Sequence, residues 1–252
     1  MKLILSGFII LVILIVLLMD YYLSNISSSK DTFLNNSYHS LNQYFEQIYV
    51  ITLPQRKTYI QNIMRKINLN CFYYPAFLKK NINKQELIKS GFLSPQFKIN
   101  EGQIACHLSH ILVLKKFLKS NFRNCLIFED DLKIPQVSSS LLDVTMSMIP
   151  RNYDIIYLGR CWDSCKKTTH LNNYVVKCHA PQCRHAYGVS RKGAEKIIRL
   201  TQPLINAGDA TISKYIQTGQ IIAYAPTKSF FFQNRQQLGS NLNNLSIQKE
   251  CV

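Results

Sequence analysis

An α/β fold with a largely parallel sheet, covered by helices on both faces, is what this sequence predicts. Three observations carry the expectation. Short apolar runs at 47–53 (QIYVITL), 125–128 (CLIF) and 154–158 (DIIYL) have the length and the β-branched or aromatic content of buried strands. Stretches with apolar residues at helical spacing separate them. The 252 residues, 47% of them hydrophobic, suffice for one domain of about 200 residues plus an appendage and exclude disorder as a description of the whole chain.

The appendage comes first. Residues 3–19 form an unbroken run of apolar and small residues between Lys2 and Asp20. The run is longer than the apolar region of a cleaved signal peptide, and no A-x-A-like site follows it, so a retained transmembrane signal anchor is expected. Residues 1–2 would be a cytosolic stub and the remainder would lie across the membrane, making a single-pass type II protein with its domain in the lumen of the ER or Golgi. Asn25-Ile26-Ser27, Asn35-Asn36-Ser37 and Asn244-Leu245-Ser246 fit the glycosylation pattern. The polar, aperiodic stretch 20–46 reads as a stem, leaving 47–252 for the domain.

Within the domain, the strand at 47–53 stops at Pro54, and Ile60, Ile63, Met64 and Ile67 mark a following helix. After an irregular stretch with Pro75 and Pro95, Gly102 is expected to open a helix striped by Ile104, Leu108, Ile111, Leu112 and Leu118. The strand 125–128 runs into three acids. A helix at 138–149 closes at Pro150, the strand 154–158 ends at Gly159, and 159–185 reads as a stabilised excursion. A strand at 186–190, helices at 191–200 and 209–217, and a strand at 220–225 complete the order. A sheet of this kind places its ligand site at the carboxyl ends of the strands.

The net charge of +16, from 30 Lys and Arg against 14 Asp and Glu, suggests a polyanionic partner. The bases are scattered, in groups no longer than pairs such as Lys79-Lys80 and Arg191-Lys192, without a zinc-finger or RNA-recognition signature, and a lumenal protein meets little nucleic acid. Nucleic acid is therefore excluded as the expected partner. A solvated basic surface or a local pocket for a nucleotide diphosphate remains. The scarcity of acids makes Glu129-Asp130-Asp131 conspicuous. Adjacent carboxylates raise one another's pKa unless a cation neutralises them, and a divalent ion carrying a diphosphate is a common use of such a cluster. A solvated acidic turn is the structural alternative.

At these residues the chain resembles glycosyltransferase family 25, the lipooligosaccharide and procollagen galactosyltransferases. Residues 48–56 (IYVITLPQR) are similar to the family's opening strand and basic turn, and 102–110 (GQIACHLSH) to its "G-E-I-G-C-x-L-S-H" helix start. Residues 126–131 (LIFEDD) match its carboxylate motif, and 186–194 (AYGVSRKGA) and 206–209 (NAGD) resemble later segments, all in the same order.

The resemblance implies a GT-A-like, Rossmann-like nucleotide-sugar domain. It implies inverting, metal-assisted transfer of a hexose, often galactose, from a UDP-sugar donor to a hydroxyl of a glycan or protein acceptor. Glu129 and Asp131 become ligands of Mn²⁺ or Mg²⁺. Thr52, Leu53, Arg56, Ser109, His110 and Asp130 become donor-binding residues, and Asp209 a general base for the acceptor hydroxyl. An N-cap role for Asp209, a surface role for Arg56 and a buried Ser109-His110 pair are the structural alternatives. The chain departs from the family at Thr52, Tyr59, Gln103 and Ser240-Asn241. A catalytically silent sugar- or nucleotide-binding module of the same fold is the alternative function.

Cys161, Cys165, Cys178 and Cys183, with His170, His179 and His185 among them, are expected to form disulfides in an oxidising lumen, with a structural zinc site as the alternative. Four cysteines allow three connectivities. His185 is placed within possible reach of the metal site. Cys71, Cys106, Cys125 and Cys251 have no evident partners.

Overall fold

β1 (Ile48–Thr52) is buried along its whole length, and its side chains alternate between two cores. Tyr49 and Ile51 enter one, Ile48 and Val50 the other. The same two-residue alternation divides Cys125 and Ile127 from Leu126 and Phe128 in β3 (Asn124–Glu129), and Ile155 and Tyr157 from Ile156 and Leu158 in β5 (Ile155–Cys161). Runs that are apolar at every position are therefore strands buried on both faces.

In this computed structural model the described residues are 38–238, with Ile15, Leu17, Leu18, Met19, Tyr21 and Tyr22. Most of the expected anchor at 3–19, the three glycosylation sequences, Ser240-Asn241 and Cys251 lie outside them. Among the described residues no helix is long and apolar enough to cross a membrane.

Eight strands make the main sheet in the order β2 (Phe72–Pro75), β1, β3, β8 (Gln182–Ser190), β5, β9 (Ala223–Pro226), β7 (Val175–Lys177), β6 (Thr169–His170). All but β8 and β7 run in one direction, giving a mixed, Rossmann-like sheet in which three of the seven neighbouring pairs are parallel. The departure from expectation is β8, which lies antiparallel between β3 and β5 in the middle of the sheet. Its cause is the excursion after β5: Cys161 pairs with Gln182, so the chain re-enters at the end where it left and must run backwards.

One face carries α4 (Glu101–Leu118), α6 (Arg191–Leu200) and α7 (Gly208–Gln217), through Ile104, Ile111, Ile197 and Ile212. On the other lie α1 (Leu41–Tyr44), α2 (Lys57–Lys66) and α5 (Ser139–Met148), through Leu41, Ile60, Met64 and Leu142. α3 (Lys84–Lys89) leads toward α4. A two-stranded ribbon of β4 (Leu132–Lys133) and β10 (Phe232–Gln233) lies beside the end of β3 and is followed by α8 (Arg235–Leu238).

Residues 38–46, expected in the stem, contribute to the core. Tyr38 and Leu41 are fully buried, and Phe45 packs on Gly188, where a Cβ would stand 2.4 Å from the ring. Three apolar side chains in so short a segment show no sustained period, which is why this packing is not legible in the sequence. α4 begins one residue before Gly102, because Asn100 and Gln103 form a capping box. Gln103 performs the backbone capping that a glutamate would perform.

Candidate active site

A cavity of about 320 Å³ opens at the carboxyl ends of β1 and β3, between α4 and the loop 76–80. Of the residues predicted from sequence, Leu53, Arg56, Ser109, His110 and the whole acidic triplet line it. Thr52 and Asp209 do not.

The triplet divides into one brace and two converging carboxylates. Asp130 turns toward β1: its Oδ2 accepts the backbone N–H of Leu53 at 2.6 Å and its Oδ1 accepts Arg56 Nη1 at 3.1 Å. Glu129 and Asp131, two residues apart at the strand end, come together on the amide of Gln233. That nitrogen donates to Glu129 Oε2 at 3.2 Å and stands 3.3 and 3.2 Å from Asp131 Oδ1 and Oδ2. The pairing of β10 with β4 brings Gln233 there, and Asn234 N–H donates to the Asp131 carbonyl at 2.6 Å. Burial, then the charges of Glu129 and Asp130, push the Asp131 carboxyl up to about 7. Burial also raises Glu129, with His185 and Arg184 opposing it.

Each remaining predicted residue has a definite local task. Arg56 lies beside Asp130 and 3.9 Å from Asp131 Oδ2, while its Nη2 donates to the Leu238 carbonyl. It therefore ties β1 to α8 as well as facing the cavity. Ser109 donates to Ala105 O at 2.7 Å and accepts the Phe77 N–H at 2.8 Å, which fastens the loop 76–80 onto α4. The His110 ring spans Tyr187 OH, 3.1 Å from Nδ1, and Glu129 Oε1, 2.9 Å from Nε2. Burial and the nearby Arg184 hold His110 well below its ordinary pKa, so the ring is neutral. Thr52 is buried and donates to Leu53 O at 3.0 Å. Tyr59 donates to Leu132 O at 2.8 Å and accepts from Asn234 Nδ2 at 2.9 Å.

Behind the cavity wall lies a buried cation that no sequence motif marked. Arg184 donates to His107 Nδ1 at 3.3 Å. The opposite ring nitrogen of His107 is 3.0 Å from Thr201 Oγ1, whose own proton goes to Ile197 O, so the ring donates there from Nε2. Gly208 seals this arrangement: a Cβ would stand 2.0 Å from His107 Nδ1 and 2.9 Å from Arg184 Nη2. Asp209 follows in the first turn of α7, where Ala207 is the N-cap residue. Its Oδ2 accepts the Cys183 N–H at 3.2 Å and its Oδ1 accepts the Ala210 N–H at 2.8 Å.

Sequence reasoning missed Gln233, Arg235, Lys79 and Lys80 as cavity residues. Lys79-Lys80 was visible as a basic pair, whereas Gln233 and Arg235 have no local signal and arrive through the ribbon pairing.

In the cysteine segment a disulfide joins Cys161 to Cys183, across the base of the excursion. Cys178 is a buried free thiol, as is Cys125. His185 lies close to the Cys161 and Cys183 sulfurs, but both sulfurs are already joined to each other. It does not line the cavity; its Nε2 lies 3.1 Å from the Phe231 carbonyl, and a Cβ at Gly159 would stand 2.2 Å from the same nitrogen.

The family model for glycosyltransferase family 25 (LPS biosynthesis protein) matches residues 45–212. A "Glycosyltransferase 25 family member" of Drosophila pseudoobscura pseudoobscura is 26% identical over 130 residues, 46% of this chain and 20% of the relative. "Procollagen galactosyltransferase 1-A" of Xenopus laevis is 23% identical over 181 residues, 64% of this chain and 29% of the relative. The chain thus spans less than a third of the length of either. The solved inositol-1-phosphate CTP transferase from T. maritima aligns with 71% of this chain and 69% of its own at 11% identity and a TM-score of 0.34.

Proposed function

This chain belongs to glycosyltransferase family 25, and on that premise we propose that its cleft transfers a hexose from a UDP-sugar to a hydroxyl of a glycan or protein acceptor, with inversion at the anomeric carbon. Galactose is the first donor to try, by likeness to the procollagen galactosyltransferases. The domain is read as GT-A-like, held in the lumen by an anchor at 3–19.

The observation that carries this proposal is the convergence of Glu129 and Asp131 on one point of a cavity that Arg56, Lys79, Lys80 and Arg235 also line. The Gln233 amide nitrogen, a positively polarised group, occupies the point between the two carboxylates. Oxygen donors of this kind suit Mn²⁺ or Mg²⁺, and the burial that raises Asp131 is a strain that a cation would relieve. Glu129 and Asp131 would hold such an ion, which when bound neutralises charge on the departing diphosphate. The basic side chains of the same cavity supply donors to the diphosphate oxygens. Asp209 lies behind the cavity wall rather than on it, close enough for its charge to act on Cys106 and Glu129, and is proposed as the base. Its carboxylate accepts two backbone N–H groups and has further lone pairs for an acceptor hydroxyl.

Incubating the protein with a panel of UDP-sugars and Mn²⁺ tests the proposal. Transfer or donor hydrolysis is expected, with Asp131→Asn lowering it by about 100-fold or more while leaving the protein folded. A folded protein that neither hydrolyses nor transfers any donor would overturn it. UDP binding by calorimetry without turnover would select the silent module instead.

A further inference from the structure

Cys106 and His110 lie one helical turn apart on the cavity face of α4, and Glu129 meets them from the end of β3. One ligand atom from each falls within 4.8 Å of the other two. Glu129 Oε1 is the shared neighbour, 2.9 Å from His110 Nε2 and 3.9 Å from Cys106 Sγ. The family reading above uses Glu129 through its other side, where Oε2 faces Gln233 and Asp131. It assigns nothing to the Cys106 thiol.

Thiol, imidazole and carboxylate together form the donor set of a borderline-soft ion such as Zn²⁺, whereas Mn²⁺ and Mg²⁺ prefer oxygen alone. The wall is also built to present the imidazole. Tyr187 OH stands 3.1 Å from His110 Nδ1, and a hydroxyl can accept from Nδ1–H, so when an ion replaces the proton that bridges Nε2 and Glu129 Oε1 the ring can carry its proton on Nδ1 and turn the Nε2 lone pair to the metal. Three protein ligands leave a fourth tetrahedral position on the cavity side for water or a phosphate oxygen. Among the described residues, the other free thiols, Cys71, Cys125 and Cys178, belong to no such group.

We propose that Cys106, His110 and Glu129 form a zinc site in the cleft wall, different in ligand chemistry from the Glu129 and Asp131 pair and sharing one carboxylate with it. Binding releases the thiol proton to solvent. An ion held there restrains Glu129, so Zn²⁺ inhibits sugar transfer. That consequence rests on the proposed function, whereas the site itself does not.

Co²⁺ titration of the full chain under non-reducing conditions, with its disulfides intact, is the test, because thiolate-bound Co²⁺ has a sulfur-to-metal charge-transfer band in the near ultraviolet and oxygen-bound Co²⁺ has none. The expected result is a band that saturates at one equivalent and is displaced by Zn²⁺ but not by Mg²⁺. It should be lost in Cys106→Ser, retained in Cys178→Ser and retained in Asp131→Asn. Thermal unfolding checks that Cys106→Ser is folded; if it is not, loss of the band in His110→Gln serves in its place. No band in the wild type, or a band that persists in folded Cys106→Ser, overturns the site. A band without sugar transfer on any donor would keep the zinc site and remove the transferase proposal, and transfer without a band would do the reverse.

Discussion

Asp130 Oδ2 lies 2.6 Å from the backbone nitrogen of Leu53, so the middle acid of the triplet closes the end of β3 onto the end of β1. Its partner oxygen accepts Arg56. Asp130→Ala leaves a largely buried backbone N–H and a mostly buried guanidinium without this acceptor and should cost about 2–3 kcal/mol of stability, read by urea unfolding. Asp131→Asn should show the opposite profile, losing transfer while keeping the fold. Equal stability losses in the two variants would refute the division of labour within the triplet.

The pH dependence of stability should carry the signature of Asp131. Its carboxyl is raised by burial from the usual 3.8 to about 7 in the folded protein, which therefore holds the proton more tightly than the unfolded chain does. The resulting stability is fully present below 3.8 and is lost as pH rises through about 7. Asparagine has no such titration. In the presence of a chelator, Asp131→Asn should gain on the wild type across that window and hold its advantage above it. Unfolding curves at several pH values check this, and a constant difference would contradict it.

Gly208→Ala should destabilise the protein by about 1–3 kcal/mol, because the added methyl is forced onto His107 and Arg184. Trimming the obstacle with His107→Ala should recover part of that loss. A double-mutant cycle measures the recovery, and strictly additive losses would show that the contact is not the cause.

Opening the Cys161 to Cys183 disulfide by a Cys161→Ser, Cys183→Ser pair removes a cross-link over a sequence separation of 22. A loss of about 3 kcal/mol is expected from the freedom restored to the unfolded chain. Because Cys183 N–H donates to Asp209, an activity loss larger than the stability loss explains would mark this link as positioning the proposed base.

Much of this protein follows from local pattern alone. Apolar runs of strand length between helical stripes place β1, β3 and β5, and three acids after one such run mark the cavity floor. These signals are legible because burial on both faces demands apolar residues at every strand position, and because 14 acids in 252 residues make a cluster stand out. The motif order also located Arg56, Ser109 and His110 at the cavity. Only the tertiary structure decided what each carboxylate does. Asp130 and Asp131 are adjacent and identical in sequence, yet the bend between β3 and β4 turns one toward Leu53 and the other toward Gln233, a residue 102 positions away. The antiparallel course of β8, the buried Arg184 beside His107, and the arrival of Gln233 and Arg235 at the cavity depend likewise on long-range pairing. No sequence window encodes that pairing, because it is a property of how the sheet closes.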